Sequence, residues 1–291
     1  MVDLAMYESK KEKKGSVTFF DAHIRNKHMK FIEQEHYLND LIKEAEETSL
    51  EIFFQPIFKN ESVYSLEALA RFDKYDIKEL MVVSYLSGKC ALFYPLLFKK
   101  GLEAYKSFLD SSKRDDIKLN INTTAGMLSE TNFYSYCIEQ CEKFALSASN
   151  ICLEITEQAL ENDMVIFSEN IEKLIEYGFE FSIDDFGSGY SSIKRLTDYD
   201  FTQIKIDRTL IKEIEKNNKL QKALAASVEF GKVLEMEVLL EGIQNKTEHD
   251  FADSLNIVYR QGFYYAKPQN LEDIIKYIQD KEKDEKRNDK N

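Results

Sequence analysis

Eight short β-like runs constrain this chain more than any other feature. They cover residues 50–58, 62–72, 117–123, 151–157, 178–184, 201–207, 236–241 and 257–263. From the third run onward, longer segments of helical spacing intervene, such as 125–144, 163–177 and 220–234. Strands that alternate with helices build a parallel sheet, and eight of them close into a barrel. The first two runs break the pattern. Only Lys59-Asn60-Glu61 joins them, too short for a crossover helix, so they must pair as an antiparallel hairpin.

The ends of the chain read differently from this middle. Residues 10–14 are mostly basic and should be solvated. Over 29–45 the apolar residues Phe31, Ile32, Leu38, Leu41, Ile42 and Ala45 recur at helical spacing, which predicts a helix against the main body. Residues from 280 on are almost wholly charged and should fray. With 3 prolines and no Ser- or Pro-rich linker, one continuous domain is expected. The resulting division is an N-terminal charged and helical extension over 1–45, a barrel over 46–280 and a charged tail over 281–291.

Charge and cysteine content exclude several classes. The formal charge of -13 argues against duplex nucleic acid as a partner, while leaving room for a small anion if metal ions neutralise its site. No apolar run approaches the ~18 residues of a membrane span, and the charged N-terminus lacks a signal core. A cytoplasmic protein is expected, with no membrane partner. Cys90, Cys137, Cys141 and Cys152 form no paired C-x-x-C motif, which disfavours zinc. Cys137 and Cys141 share a helix face as small buried hydrophobes. His23, His28 and His36 are scattered through the extension.

Polar residues recur toward the C-terminal ends of the runs: Glu67, Asn122, Glu154, Asp184 with Asp185, Asp207, Glu241 and Gln261, joined by Lys205. Ile183, Ile204, Ile206, Leu239 and Leu240 beside them mark these segments as buried. A buried carboxylate costs several kcal/mol unless paired or metal-bound, and the C-terminal rim of a parallel barrel is where catalytic groups collect. Rim salt bridges would explain any one acid. They explain the set poorly, because few basic residues accompany it. Oxygen donors without His or Cys favour Mg²⁺ or Mn²⁺, and adjacent Asp184 and Asp185 suit two ions, one acid bridging them.

These residues fall in an ordered set of motifs. They begin with Gln55-Pro56-Ile57, Glu67-Ala68-Leu69-Ala70-Arg71 and Asn122-Thr123-Thr124. Leu153-Glu154-Ile155-Thr156-Glu157 and Asp184-Asp185-Phe186-Gly187-Ser188-Gly189-Tyr190-Ser191-Ser192 follow. Lys205-Ile206-Asp207-Arg208, Glu241-Gly242-Ile243 and Gln261-Gly262-Phe263 complete it. The series resembles the EAL phosphodiesterases, a bacterial signalling family, and the second segment matches its E-A-L-x-R signature. The resemblance implies an α/β fold, a modified TIM (β/α)8 barrel with one antiparallel strand, here with an N-terminal helical extension. It implies metal-dependent hydrolysis of cyclic di-GMP to linear pGpG.

By the same resemblance, Glu67, Asn122, Glu154 and Asp184 hold one metal, and Asp184 and Asp185 the second, with Glu241 close by. Lys205 polarises the attacking water and Glu241 is its base. Gln55, Arg71 and Gln261 line the nucleotide pocket, Arg71 with a fork suited to phosphate. Glu157 anchors the 187–192 loop, which positions Asp185 and meets a partner barrel in a homodimer. Two departures stand out. Gln244 replaces the second acid of the family's E-G-V-E, and either weakens support for the loop and metals or caps the next helix. Residues 73–94 miss the family's P-x-x-F-I-P-x-A-E stretch. A non-catalytic cyclic di-GMP receptor or protein-binding module is the alternative. Asp185-Phe186-Gly187 lacks the other kinase motifs, and Gly187-x-Gly189 is not a dinucleotide fingerprint.

Overall fold

A computed structural model describes residues 22–43, 50–161, 164–187 and 193–288. The chain forms two compact units: Met1–Glu51 with Ala70–Leu97, and Ile52–Leu69 with Phe98–Asn291.

The second unit holds a closed barrel. Its strands are β1 (Glu51–Lys59), β2 (Ser62–Arg71), β3 (Lys118–Asn122), β4 (Ile151–Thr156), β5 (Glu180–Phe186), β6 (Gln203–Ile206), β7 (Glu237–Leu240) and β8 (Tyr259–Arg260), paired in that order around the ring. Each pair from β2 to β8 is parallel, whereas β1 meets β8 antiparallel through Phe58 opposite Arg260 and Lys59 opposite Tyr259. The reversed strand is the one its short connection required. Asn60 turns the chain there with a left-handed φ of 56°, a conformation Asn tolerates better than most residues.

Strand alternation sorts side chains between barrel interior and helical shell. On β6, Gln203 and Lys205 point inward and Ile204 outward, where its Cγ2 approaches Gly231 of the helix Asn218–Val233. The interior is layered. Lys118 and Glu180 pair at 2.6 Å at the strands' N-terminal end. Ile57, Leu239 and Tyr259 fill the middle, and the acids lie above. Phe54 packs on Phe108 and Phe186 stacks on Phe230, tying strands to the shell. Cys137, Cys141 and Cys152 are buried free thiols, and burial pushes Cys141 up to about 12.

Helix boundaries depart from the periodicity reading. The segment 125–144 splits into one turn, Ala125–Leu128, capped by Thr124, and a helix Phe133–Phe144. The polar stretch from Ser129 to Asn132 supplies a stop and a new start. At the far end a helix spans Leu271–Asn288, through the charges expected to fray. Asp280 pairs with Lys283 at 2.8 Å, and Glu282 with Arg114. One pair of opposite charges three apart and one ion pair to a residue distant in sequence support a helix that apolar periodicity does not announce.

In the first unit the N-terminal helix spans Ala22–Lys43 and packs on the helix Ile77–Leu86. It begins seven residues before the expected start, where the sequence is polar but carries no Gly or Pro to stop it. Its buried face is Gln34, Leu38 and Leu41, and Lys30 and Gln34 both donate to Glu79, at 2.5 and 2.9 Å. Among the described residues, no helix is long and apolar enough to cross a membrane.

One glycine is fixed by close packing. Gly262, just past β8, has φ +156°, and a Cβ there would lie 2.0 Å from Ile243 O. Gly88 also has a positive φ, +68°, but nothing within 4 Å. Gly262→Ala should therefore lower the urea-unfolding free energy by about 2 kcal/mol or more, against about 1 kcal/mol for Gly88→Ala. Equal losses would refute the packing argument.

Candidate functional site

At the C-terminal mouth of the barrel, four carboxylates, three from β2, β4 and β5 and one just after β7, surround one ammonium. Lys205 Nζ, on β6, lies 2.7 Å from Glu241 Oε1, 2.8 Å from Glu154 Oε2, 3.0 Å from Asp184 Oδ1 and 4.0 Å from Glu67 Oε1. Lys205 is 1% exposed. Amides hold the acids in place. Asn120 Nδ2 donates to Glu154 Oε1 at 2.9 Å, Asn122 Nδ2 to Glu67 Oε1 at 3.3 Å, and Gln261 Nε2 to Glu67 Oε2 at 2.7 Å.

The electrostatics are those of too many anions around one cation. Burial works against the charged form of Lys205, but Asp184, Glu154, Glu241 and Glu67 outweigh it and hold the ammonium well above its usual range. Burial pushes Glu154 up to about 8, helped by Glu67 and Asp184 and opposed by Lys205. Burial likewise raises Glu241 well above the usual carboxylate range, with Asp184, Glu67 and Glu154 adding to it against Lys205. One ammonium does not neutralise this group.

Asp184 and Asp185 reach the same site through a local irregularity. Ile183 pairs with Ile204 and Phe186 with Ile206, so β5 advances three residues while β6 advances two. In a regular strand, adjacent side chains point to opposite faces. The bulge, with Asp185 at a left-handed φ of 57°, re-aims the second acid. Asp184, Asp185 and Glu241 each offer an oxygen within 4.8 Å of the others. Just beyond, Gly187 N–H donates to Glu157 Oε2 at 3.0 Å, fixing the chain where β5 ends. Residues 188–192, which carry most of the expected loop and dimer contact, lie outside the described residues.

The donors suit a hard divalent cation. All are oxygens, and the buried Glu154 Oε2 and Asp184 Oδ1 have, among the described residues, no hydrogen-bonding partner besides the ammonium they face. A 260 Å³ pocket opens above them, lined by Gln55, Glu67, Asp184, Lys205, Glu241 and Gln261, with Arg208, Gln244 and Phe263 among its other walls. A larger cavity of 580 Å³ includes Tyr64, Lys118, Glu180 and Glu237, at the strands' other end and away from the acids.

Seven of the expected residues thus meet at one mouth: Glu67, Asn122, Glu154, Asp184, Asp185, Lys205 and Glu241. Gln261 joins them as a partner of Glu67, and Gln55 lines the pocket with Nε2 donating to Ala266 O at 3.2 Å. Arg71 belongs to the other compact unit, where its Nη1 donates to Ala70 O at 3.0 Å. Asp207 instead caps the turn Arg208–Leu210 by accepting from Thr209 N–H. Sequence reasoning gave no role to Asn120 or Arg208. The first was readable, since Asn120 lies two residues before Asn122 and shares its strand face. Gln244 does not cap the following helix, Lys246–Ser254. Asn245 does, accepting from Glu248 N–H at 3.0 Å.

Comparison with known proteins gives the family and the fold. A sequence profile described as the EAL domain matches residues 38–268. Cyclic di-GMP phosphodiesterase PdeR of Escherichia coli (strain K12) is 28% identical over 272 residues, which cover 91% of this chain and 40% of PdeR. The chain therefore spans well under two thirds of that relative's length. Among solved structures, the PaMucR phosphodiesterase in complex with c-di-GMP superposes with a TM-score of 0.74 at 23% identity, over 82% of this chain and 99% of its own. The Klebsiella pneumoniae BlrP1 manganese/cy-diGMP complex does so with 0.70 at 22%, over 78% and 57%. At these identities the superpositions establish the fold.

The cluster makes Lys205 a structural residue. In chelator-treated protein, Lys205→Met should lower the unfolding free energy by about 3–5 kcal/mol, because it strands buried carboxylates without their partner. Urea unfolding reads this, and a loss under about 1 kcal/mol would mean the acids do not depend on the ammonium.

Proposed function

The chain belongs to the EAL domain family, and from that premise we propose that it hydrolyses one phosphodiester bond of cyclic di-GMP, giving linear pGpG, with Mg²⁺ or Mn²⁺ as cofactor. The observation that carries this reading is the convergence of Asp184, Asp185 and Glu241 oxygens within 4.8 Å beside a buried lysine. Asp184 and Asp185, with Glu67, Asn122 and Glu154, are the residues that would hold two ions. Bound there, divalent ions supply charge neutralisation at the phosphate and a more acidic water.

The protein's own groups do the rest. Glu241 takes the proton of the attacking water, and Lys205, 2.7 Å from its Oε1, fixes the carboxylate's position and polarises that water. Gln261 orients Glu67 and, with Gln55, contacts the nucleotide. The Gln55 Nε2 bond to Ala266 O turns its Oε1 into the acceptor available to a base. Glu157 keeps Asp185 in register through Gly187 N–H. On the same premise, residues 46–280 are the catalytic barrel, flanked by a 1–45 extension and a 281–291 tail, and the working form is a cytoplasmic homodimer.

With Mg²⁺ or Mn²⁺ the purified protein should convert cyclic di-GMP to pGpG, and chelator should abolish the product. Asp184→Asn and Glu67→Gln should each lower the rate by about 10² to 10⁴. Tight binding of cyclic di-GMP with no turnover in either metal would favour a receptor instead. Undiminished turnover in chelator-treated protein would eliminate the metal mechanism.

A further inference from the structure

Arg208 follows β6 and lines the pocket above the carboxylates. Its aliphatic stem lies across Gly242, where an added Cβ would meet Arg208 Cγ at 2.5 Å, Cβ at 2.6 Å and Cδ at 2.7 Å. With φ +68° and no side chain, Gly242 is what lets the stem lie there. At its tip, Arg208 Nη2 donates to Gln244 Oε1 at 2.8 Å. Gln244 is fixed in turn, because its N–H donates to Oε2 of the buried Glu248 at 2.6 Å. Glycine, amide and buried acid together hold one guanidinium in place.

The charge of that partner decides what Arg208 can do. Gln244 is neutral, so it orients the guanidinium without cancelling it. Lys205 and Arg208 are the cations on the pocket lining. Lys205 is enclosed by carboxylates, whereas Arg208 has no carboxylate partner among the described residues. An anion entering past Glu67, Asp184 and Glu241 meets repulsion, and Arg208 supplies the uncompensated attraction. Four of its five N–H donors remain for a planar, two-oxygen acceptor.

We infer that Arg208, oriented by Gln244, is a substrate-positioning residue that binds the non-reacting phosphodiester of the cyclic dinucleotide. This rests on the reading of the site proposed above. It assigns Gln244 a role opposite to that of an acid at the same position, which would pair with Arg208 and remove the charge.

Two substitutions separate the roles. Arg208→Met keeps the stem over Gly242 and removes the charge, while Gln244→Glu keeps the arginine and neutralises it. Cyclic di-GMP is titrated calorimetrically into chelator-treated protein at several NaCl concentrations, KM and kcat are measured with Mn²⁺, and Mn²⁺ alone is titrated into each variant. Both substitutions should weaken nucleotide binding about 10- to 100-fold and flatten its salt dependence. The loss should fall on KM more than on kcat, and Mn²⁺ affinity should stay within about twofold of wild type, far from the 10- to 100-fold change expected when a metal-supporting group is altered. Wild-type turnover with unchanged binding in Arg208→Met overturns the inference alone. So does a Gln244→Glu variant that binds Mn²⁺ more tightly and nucleotide no worse. A wild-type protein that neither binds nor hydrolyses cyclic di-GMP defeats the functional reading and this inference together.

Discussion

Lys205 and the carboxylates around it depend on barrel closure more than on any single strand. In an open sheet, neighbouring strands lie about 4.8 Å apart, so groups on β2 and β7 would be separated by about 24 Å. Closure brings Glu67 of β2 and Glu241 after β7 to within 4.0 Å of one nitrogen. The polar interior is tolerable only there. Removed from this arrangement, each of these buried charges would face a desolvation penalty of several kcal/mol. The reversed β1 completes the ring at β8 and places Gln55 beside the same mouth.

Irregular backbone sits where regular geometry fails to deliver a side chain. A strict period of two presents Asp184 and hides Asp185, so the bulge in β5 is what turns one acid into a pair. A left-handed aspartate costs about 1 kcal/mol or more, and the Glu157 bond to Gly187 N–H offsets part of that by fixing the exit from the strand. Glycines at 242 and 262 make room in the same region, one for an arginine stem and one for the Ile243 backbone. Among the described residues six other non-glycine residues adopt a positive φ, all in connections, and Asp185 is the one that does so inside a strand.

Much of this was legible in the sequence, for physical reasons. Buried strands announce themselves as short apolar runs, and an acid inside such a run is costly enough to be informative. That is why Glu67, Glu154, Asp184, Lys205 and Glu241 stand out before any coordinates. Other features are set by partners distant in sequence. Strand alternation puts Asn120 on the inner face, but nothing local names Glu154 as its partner, or says that Gln244 faces Arg208 while Asn245 caps the helix. Helix ends failed for a different reason. Over 22–28 and 280–288 the helices are polar, so apolar periodicity carries no signal there, and at the C-terminal helix charge pairing supports what composition marks as loose. The reverse held at 129–132, where polar residues did interrupt a helix.

The remaining tension is between an anionic site and the anionic substrate proposed for it. Glu67, Glu154, Asp184, Asp185 and Glu241 outnumber Lys205, and burial first, with the neighbouring carboxylates adding to it, raises the affinity of Glu154 and Glu241 for protons. Protons, metal ions and basic side chains are the available ways to neutralise the excess. Protons remove the donors a metal needs, so they compete with the chemistry rather than assist it. A second lysine inside the cluster would displace ions in the same way. A cation at the rim avoids both conflicts, because it attracts phosphate without touching the acids. The neutral Gln244 keeps Arg208 in that position with its charge intact, which makes an amide at residue 244 more consistent with this pocket than the acid its relatives' motif suggests.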